Sequence, residues 1–442
     1  MSTAVQDVAS IAAAALEHTH HGDAEVLVTA HVEELTRFAS NAIHQNVAET
    51  SLQIRARVVA DDRVGVASLA GSDPDELIRR VMTAAEQARA VSPATEVTPL
   101  PQADGGADEP VAYSQATADA TPEQRADMVA TITGAASRQS LRAYGFVSTA
   151  RRETAIASSV GVRRNAASTQ AGSVVVVMGE AGSGYGSRHS ADIGMLDIDA
   201  LAGEAVDTCG RNQRADAFDP GTYEVVLAPY AVSDMLEHLG WVGLSALAVH
   251  EHRSFMRMGE KLMSEQITIR DDCRDAALFP YPFDYEGVST RPVDIIRNGV
   301  CAGVVYDTPT ARQDGVGSTG HSLPQPNTFG PYASHLAMDA GSDSVDSLIR
   351  GVQRGLYITR FWYVRDVDPL KTVITGMTRD GTFVIENGAV GRPVRDLRFT
   401  QSVVDALGDV RGISSDRRLE LGEGESGVLA PWLRLGHFTF TS

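Results

Sequence analysis

The sequence is poor in features that mark several large functional classes. Its three cysteines, in 442 residues, are widely separated, and their odd number and the absence of CxxC give no disulfide framework. Lys and Arg (38) are outnumbered by Asp and Glu (57), and the net charge of −19 argues against nucleic-acid binding. No run of about 18 apolar residues occurs, so we expect no membrane span. The N-terminus lacks the basic region of a signal peptide, which together with the cysteine usage predicts a cytoplasmic protein.

What remains is ordinary for a globular protein. Hydrophobic residues make up 43% and charged residues 21% of the chain, and its length supports two or three domains. We predict a boundary between residues 1–211 and 212–442. The fold class expected is α+β, with an N-terminal α/β sandwich domain and a C-terminal antiparallel β-sheet or open barrel around a central helix. Two Asn-Gly pairs in the second half, at Asn298 and Asn387, indicate hairpins.

The central helix is the most strongly patterned stretch of the second half. A predicted strand, Tyr223 to Ala228, is broken by Pro229. Apolar residues then recur at helical spacing, which predicts a buried helix over residues 232–252. Either Ser233 or Asp234 is the expected N-cap.

This stretch also concentrates side chains suited to chemistry. It holds His238, His250 and His252, with Glu237 and Glu251 beside them. A zinc peptidase helix carries two histidines and a glutamate base, but the chain contains neither HExxH nor HExxxH. Because a carboxylate beside a histidine suits acid–base work, Glu237 and His238 are the candidate catalytic pair. His250, Glu251 and His252 are candidates for substrate binding. The alternative is that all of these are surface or hydrogen-bonded residues.

Two further segments are candidates for contact with a substrate. Residues 313–331 are rich in Gly and Pro, contain His321 and lead to His335. A long segment of this kind is either a loop over a cleft, with His335 touching substrate, or an ordered surface loop. The polar residues 44–46 (His-Gln-Asn) are expected to form a turn, which either contacts peptide or is only a polar turn at a strand end.

The chain resembles the TldD/PmbA family, whose members are called modulators of DNA gyrase, in a series of short sequence motifs that occur in order along nearly its whole length. The similarity is strongest to the TldE (PmbA) branch. The motifs are Arg37 to Asn46, Ser254-Phe255, Gly259 to Leu262, Asp284 to Arg291, Asn298-Gly299, Tyr306-Asp307, Thr359-Arg360-Phe361, Asp368-Pro369, Thr375-Gly376 and Phe383 to Gly388. The family usually has Asn where His335 stands, which is a departure.

The resemblance implies a zinc site that this chain lacks. In the TldD branch the central helix carries HExxxH and a late cysteine completes the zinc site. Counted back from Ser254, the motif falls on residues 236–241, where Leu236 and Trp241 replace the histidines and only Glu237 remains. The last cysteine is Cys301, so the late thiolate is missing too.

The resemblance therefore implies a TldE-like subunit without a metal of its own, paired with a TldD-type partner that supplies zinc. The pair would act on unfolded or extended peptides, held by strand addition at a sheet edge. Arg360 lies in one of the matching motifs and is a further candidate for substrate binding. Two alternatives stay open: a stand-alone hydrolase or biosynthetic enzyme using the histidines and carboxylates above, and a homodimeric peptide-binding protein. A neighbouring gene for an HExxxH homologue would favour the subunit without zinc. A surrounding biosynthetic gene cluster would favour the stand-alone enzyme.

Overall fold

A computed structural model describes residues 7–95, 97–106, 112–422 and 427–441. The helices in these ranges, α1 to α10, are Val8–Leu16, Pro74–Val91, Gln115–Ala118, Pro122–Arg138, Ile198–Arg211, Pro229–Gly243, Ala246–His250, Thr308–Asp314, Val345–Arg350 and Val403–Gly408. The strands, β1 to β17, are Asp23–Ala39, Ala42–Ala60, Arg63–Gly71, Arg142–Ser158, Arg163–Met178, Ser183–Ser190, Gly221–Leu227, Ile269–Asp271, Val293–Arg297, Val300–Cys301, His335–Met338, Arg354–Asp368, Val373–Glu386, Ala389–Pro393, Arg398–Ser402, Val410–Leu421 and Gly427–Phe440.

The first six strands form an antiparallel sheet in the order β3-β2-β1-β4-β5-β6. Its helices bury two apolar clusters, one beneath α1 and α2 and one beneath α4 and α5. The turn predicted at residues 44–46 was wrong, because these residues lie inside β2. The chain reverses earlier, at Ser40 and Asn41, which both have positive φ as a tight hairpin requires. The Asn41 side chain locks this turn by accepting from the Ala143 N–H and donating to the Leu141 carbonyl.

The second sheet curls around its own core. Strands β17, β15, β13, β12 and β7 pair in sequence, and β7 pairs again with β17, so these five strands form a ring. Most pairs are antiparallel, while β7–β12 and β11–β17 are parallel. The α+β class is therefore confirmed. The first sheet ends at Ser190 and the second begins at Gly221, while the boundary at 211/212 stays a prediction.

The central helix differs from its prediction in its bounds and continuity. Pro229 occupies the first turn of α6, where a missing N–H costs nothing, so the helix starts earlier than expected and neither Ser233 nor Asp234 is its cap. The helix stops at Gly243, where Phe255 and Ser254 pack so closely that a Cβ would clash. The Ser245 side chain then caps the separate helix α7 by accepting from the Ala248 N–H.

One of the motifs named above, Asp284 to Arg291, connects the two sheets. Glu286 is 1% exposed and its carboxylate pairs with Arg57 of β2, at 3.2 Å, and accepts from the Thr308 N–H. Arg57 also pairs with Glu25 of β1 at 2.9 Å. Gly287 has φ +77°, and a Cβ there would lie 2.5 Å from Val162. These residues therefore act as a structural junction between the sheets.

All three cysteines are buried and unpaired in the described structure. None of the described helices has the length and apolar character needed to cross a membrane.

Candidate functional site

An open cleft of about 710 Å³ lies between the exposed side of α6 and the outer part of β12. Helical spacing brings the side chains of residues 234, 237, 238 and 241 to one face of α6. Seven consecutive residues of β12 run along the opposite wall. The lining residues are Asp234, Glu237, His238, Trp241, Arg360, Phe361, Trp362, Tyr363, Val364, Arg365, Asp366, Leu421 and Gly422.

The strand on this wall has an open edge. Strand β7 pairs with β12 only from Gly355 to Ile358. From Arg360 onward, within the described residues, β12 pairs with β13 alone. No other described strand pairs with this stretch on its other side, which is the side where an added strand would bond.

Two carboxyl groups stand one helical turn apart on α6. Burial raises the pKa of Asp234 to about 8; the Glu237 carboxylate adds to the rise and Arg360 opposes it. The Glu237 carboxylate lies against the backbone of Gly422, where a Cβ would be 2.3 Å from one of its oxygens. A glycine is thus needed for Glu237 to keep its position.

Arg360 is held rigidly at the inner end of the cleft. Its Nε donates to Asp380 at 2.6 Å, and its guanidinium lies 4.0 Å from the ring centre of Tyr185 and 5.0 Å from that of Trp362. The charge of Arg360 is largely neutralised by the buried Asp380, so Arg360 contributes mainly a flat polar surface to the cleft.

The predicted site residues fall into three groups. Glu237, His238 and Arg360 line the cleft together. His238 Nδ1 lies 3.0 Å from Asp366 of β12, a contact that ties the helix to the strand. The assignment of Glu237 and His238 as a catalytic pair stays a prediction.

His250, Glu251 and His252 lie away from this cleft. His250 pairs with Asp314 at 2.8 Å and Glu251 with Arg253 at 2.5 Å. His252 has φ +56° just after α7 ends. The structure thus gives these three residues local partners or a place in a turn, and their assignment to substrate binding stays a prediction.

His321 and His335 line a second, smaller cavity of about 360 Å³ between the two sheets. His321 is buried, with Nε2 3.0 Å from Asp271 and Nδ1 2.9 Å from the Thr319 carbonyl. Burial lowers the pKa of His321, but the Asp271 carboxylate outweighs burial and the net pKa is raised. Burial dominates for His335, whose pKa is lowered. His321 is therefore a buried ion-pair partner rather than part of a surface loop.

The residues at the motif positions do not fit a zinc ion. Leu236 is 1% exposed in the core of the second sheet and Trp241 is packed against Phe329 and Tyr332. Neither side chain offers a lone pair to a metal. Among the described residues, no group of three or more His, Cys, Asp and Glu side chains is placed to hold a metal ion.

Sequence reasoning missed several residues of these sites. Asp234 was considered only as a helix cap, although its position three residues before Glu237 predicts a shared helix face. Asp271, the buried partner of His321, lies 50 residues earlier in the chain and carries no local signal. The smaller cavity takes Tyr281 and Tyr285 from one segment and Tyr332 from another, and the sequence does not indicate that these segments meet.

The fold and cleft define a class: an α+β protein with a strand-edge cleft beside a central helix. Residues 220–442, just over half the chain, match the model of the PmbA/TldA metallopeptidase C-terminal domain. The chain therefore belongs to the PmbA/TldD family.

Among curated proteins, the chain is 26% identical over 265 residues to a metalloprotease of Methanothermobacter thermautotrophicus, covering 57% of each chain. It is 28% identical over 204 residues to the TldD homologue of Haemophilus influenzae, covering 41% of this chain and 40% of that one. It is 24% identical over 218 residues to metalloprotease PmbA of Escherichia coli O157:H7, covering 48% and 45%. The matches thus span roughly half the length of these relatives.

Solved structures match over the whole fold. TldE from Thermococcus kodakarensis superposes with a TM-score of 0.87 at 18% identity, covering 98% of this chain and 99% of that one. A protein described as a candidate modulator of a DNA gyrase, from Thermotoga maritima MSB8, gives 0.82 at 16% identity, covering 98% of both chains. At these identities the likeness establishes the shared fold.

Proposed function

We propose that this chain is a TldE-like subunit without zinc, which holds an extended peptide for a zinc-bearing TldD-type partner in a cytoplasmic peptidase complex. The observation that carries the proposal is the cleft itself: an open strand edge and a retained Glu237 stand beside motif positions occupied by Leu236 and Trp241. The partner would supply the zinc and the activated water.

The cleft suits an extended peptide. A peptide added as a strand along residues 360–366 would bond through its backbone, which makes recognition tolerant of sequence. Trp362 and Tyr363 are exposed beside this stretch, with Arg360 and Arg379 over the Trp362 ring and Arg365 over the Tyr363 ring. These aromatic and guanidinium groups would contact side chains of the peptide. Unfolded or extended peptides are therefore the substrate class that we propose.

The test uses the purified chain alone and after co-expression with an HExxxH homologue from the same genome. Metal content is measured by mass spectrometry and activity with an unfolded protein substrate. We expect zinc and peptidase activity only in the complex. Stoichiometric zinc or peptidase activity in the lone chain would overturn the proposal.

The runner-up is a stand-alone hydrolase, which the Asp234–Glu237 carboxyl pair favours because unequal carboxyl environments can serve acid and base roles. Glu237→Gln separates the two. In the subunit reading Glu237 does not touch the reacting bond, so the complex should keep its rate within about twofold. A base role predicts a loss of about 10²–10⁴-fold. The matched control is Glu265→Gln, since Glu265 is 81% exposed and does not line the cleft.

A further inference from the structure

The smaller cavity between the sheets is separate from the peptide cleft. Arg152, Ser168, Thr169 and Gln170 contribute to it from the first sheet and the remaining wall comes from residues 279–335. Tyr332 lines it and packs on Trp241 of the cleft, with ring centres 4.9 Å apart. The two spaces therefore share an aromatic wall.

The cavity is not arranged for catalysis. Both ring nitrogens of His321 are occupied, one by Asp271 and one by Thr319, so neither is free to take a proton from a substrate. His335 Nδ1 lies 2.9 Å from Ser334 and its Nε2 lies 3.2 Å from the Phe279 carbonyl. These contacts build a rigid wall and leave binding as the role of the space.

The charged groups at the wall have partners within the chain. Arg152 and Asp284 line the cavity and Asp271 lies behind His321; Arg152 is not free, since it interacts with another group of the chain. Asp271 is 0% exposed and faces the imidazole of His321. Asp284, 5% exposed, accepts backbone N–H groups from Glu286, Val288 and Ser322. A ligand with a net charge would enter without a dedicated counter-charge and would lose its hydration, which is costly. The wall therefore favours an uncharged ligand.

The body of the cavity is aromatic, and its hydrogen bonding is incomplete at one point. The rings belong to Phe279, Tyr281, Phe283, Tyr285 and Tyr332. The Tyr281 hydroxyl is buried and lies close to the Thr154 hydroxyl, but neither group makes a hydrogen bond of ordinary length and angle with a described residue. A buried hydroxyl without a well-placed partner is destabilising, so a ligand that satisfies it gains affinity.

We propose that this cavity binds a small uncharged monocyclic aromatic molecule that carries one hydrogen-bonding group, which pairs with the Tyr281 hydroxyl. The volume of about 360 Å³ exceeds the roughly 150 Å³ of an engineered cavity that holds benzene, and it leaves room for a substituent. This site is independent of the peptide cleft and does not rest on the proposed function.

The test compares phenol with toluene, which has a similar shape but no hydroxyl, by titration calorimetry on the full chain. We expect saturable one-to-one binding of phenol that Tyr281→Phe weakens about tenfold, in line with one lost hydrogen bond. Toluene should bind the wild type and Tyr281→Phe equally. The matched control is Tyr144→Phe, which removes a hydroxyl that contacts Ser40 outside both cavities and should change neither affinity.

A second variant tests whether the two probes bind in this cavity. Ser168→Phe adds a ring to the cavity wall and should abolish binding of both probes in a protein whose circular dichroism is unchanged. The proposal is overturned if phenol shows no saturable binding, if Ser168→Phe binds phenol normally, or if Tyr281→Phe weakens toluene as much as phenol. The probe comparison in Tyr281→Phe stands even if Ser168→Phe fails to fold.

Discussion

The buried triad of Arg57 with Glu25 and Glu286 gives the sharpest stability prediction. The exposed fraction of the side chain is 10% for Arg57, 5% for Glu25 and 1% for Glu286. Arg57→Met leaves two carboxyl groups buried near each other without a cation. Removal of one partner from a buried ion pair typically costs about 3–5 kcal/mol. We expect a loss of that order, with the junction between the sheets opening first.

The pH dependence supplies an internal check. Burial raises the pKa of Glu25, Arg57 lowers it and Glu286 raises it, with a net rise. A carboxyl group with a raised native pKa loses its contribution to stability as pH rises from its unfolded value through the native one. Without Arg57 that pKa rises further, so the deficit of Arg57→Met should be larger at pH 8 than at pH 5.

The assay is urea denaturation followed by circular dichroism at both pH values, with urea chosen because it does not screen charge. A chain of this length need not unfold in one step, so the first transition is compared. Arg80→Ala is the matched control, since Arg80 is 62% exposed in its pair with Glu76 and such pairs contribute about 0.3–0.5 kcal/mol. If Arg57→Met costs no more than Arg80→Ala, the triad does not stabilise the junction.

Two further predictions concern single positions. Gly287→Ala should lower the free energy of unfolding by about 1–2 kcal/mol because of the positive φ and by about 1–3 kcal/mol more because of the contact with Val162. Gly315→Ala, with φ +67° and no atom within 4 Å of the added Cβ, should lose only the first amount. Equal melting temperatures of the two variants would refute the packing argument. Burial raises the pKa of Glu420 to about 8, so native stability is lost as pH rises from about 4 toward 8. Glu420→Gln should flatten that slope in melting curves, and an unchanged slope would exclude Glu420 as its source.

The elements were predictable where local chemistry decides them. The apolar spacing after Pro229 located the central helix, and the two Asn-Gly pairs predicted hairpins that appear at Asn298 and Asn387, both with positive φ. The break between α6 and α7 was not predictable in the same way. It depends on Phe255 packing against Gly243, a contact that spacing within the helix does not encode.

The candidate site was predictable only in part, because its two walls come from distant segments. Helical spacing could have placed Asp234 beside Glu237. Nothing local indicated that Asp366, 128 residues later, would face His238. Asp271, the buried partner of His321, was also not predictable from local sequence. It reaches this region through the antiparallel pairing of β8 with β11, two strands that are more than 60 residues apart in the chain.

Leu236 and Trp241, at the positions where the resemblance implies zinc histidines, are part of the packing in this chain. The sequence shows that Leu236 and Trp241 cannot bind zinc, but the structure shows what each does instead. Leu236 belongs to the apolar core of the second sheet, where an imidazole would be buried without an evident partner. Trp241 packs on Phe329 and Tyr332 and so forms the wall between the cleft and the smaller cavity. Histidines placed back at these two positions would therefore disturb the core and the shared wall before they could gather a metal ion.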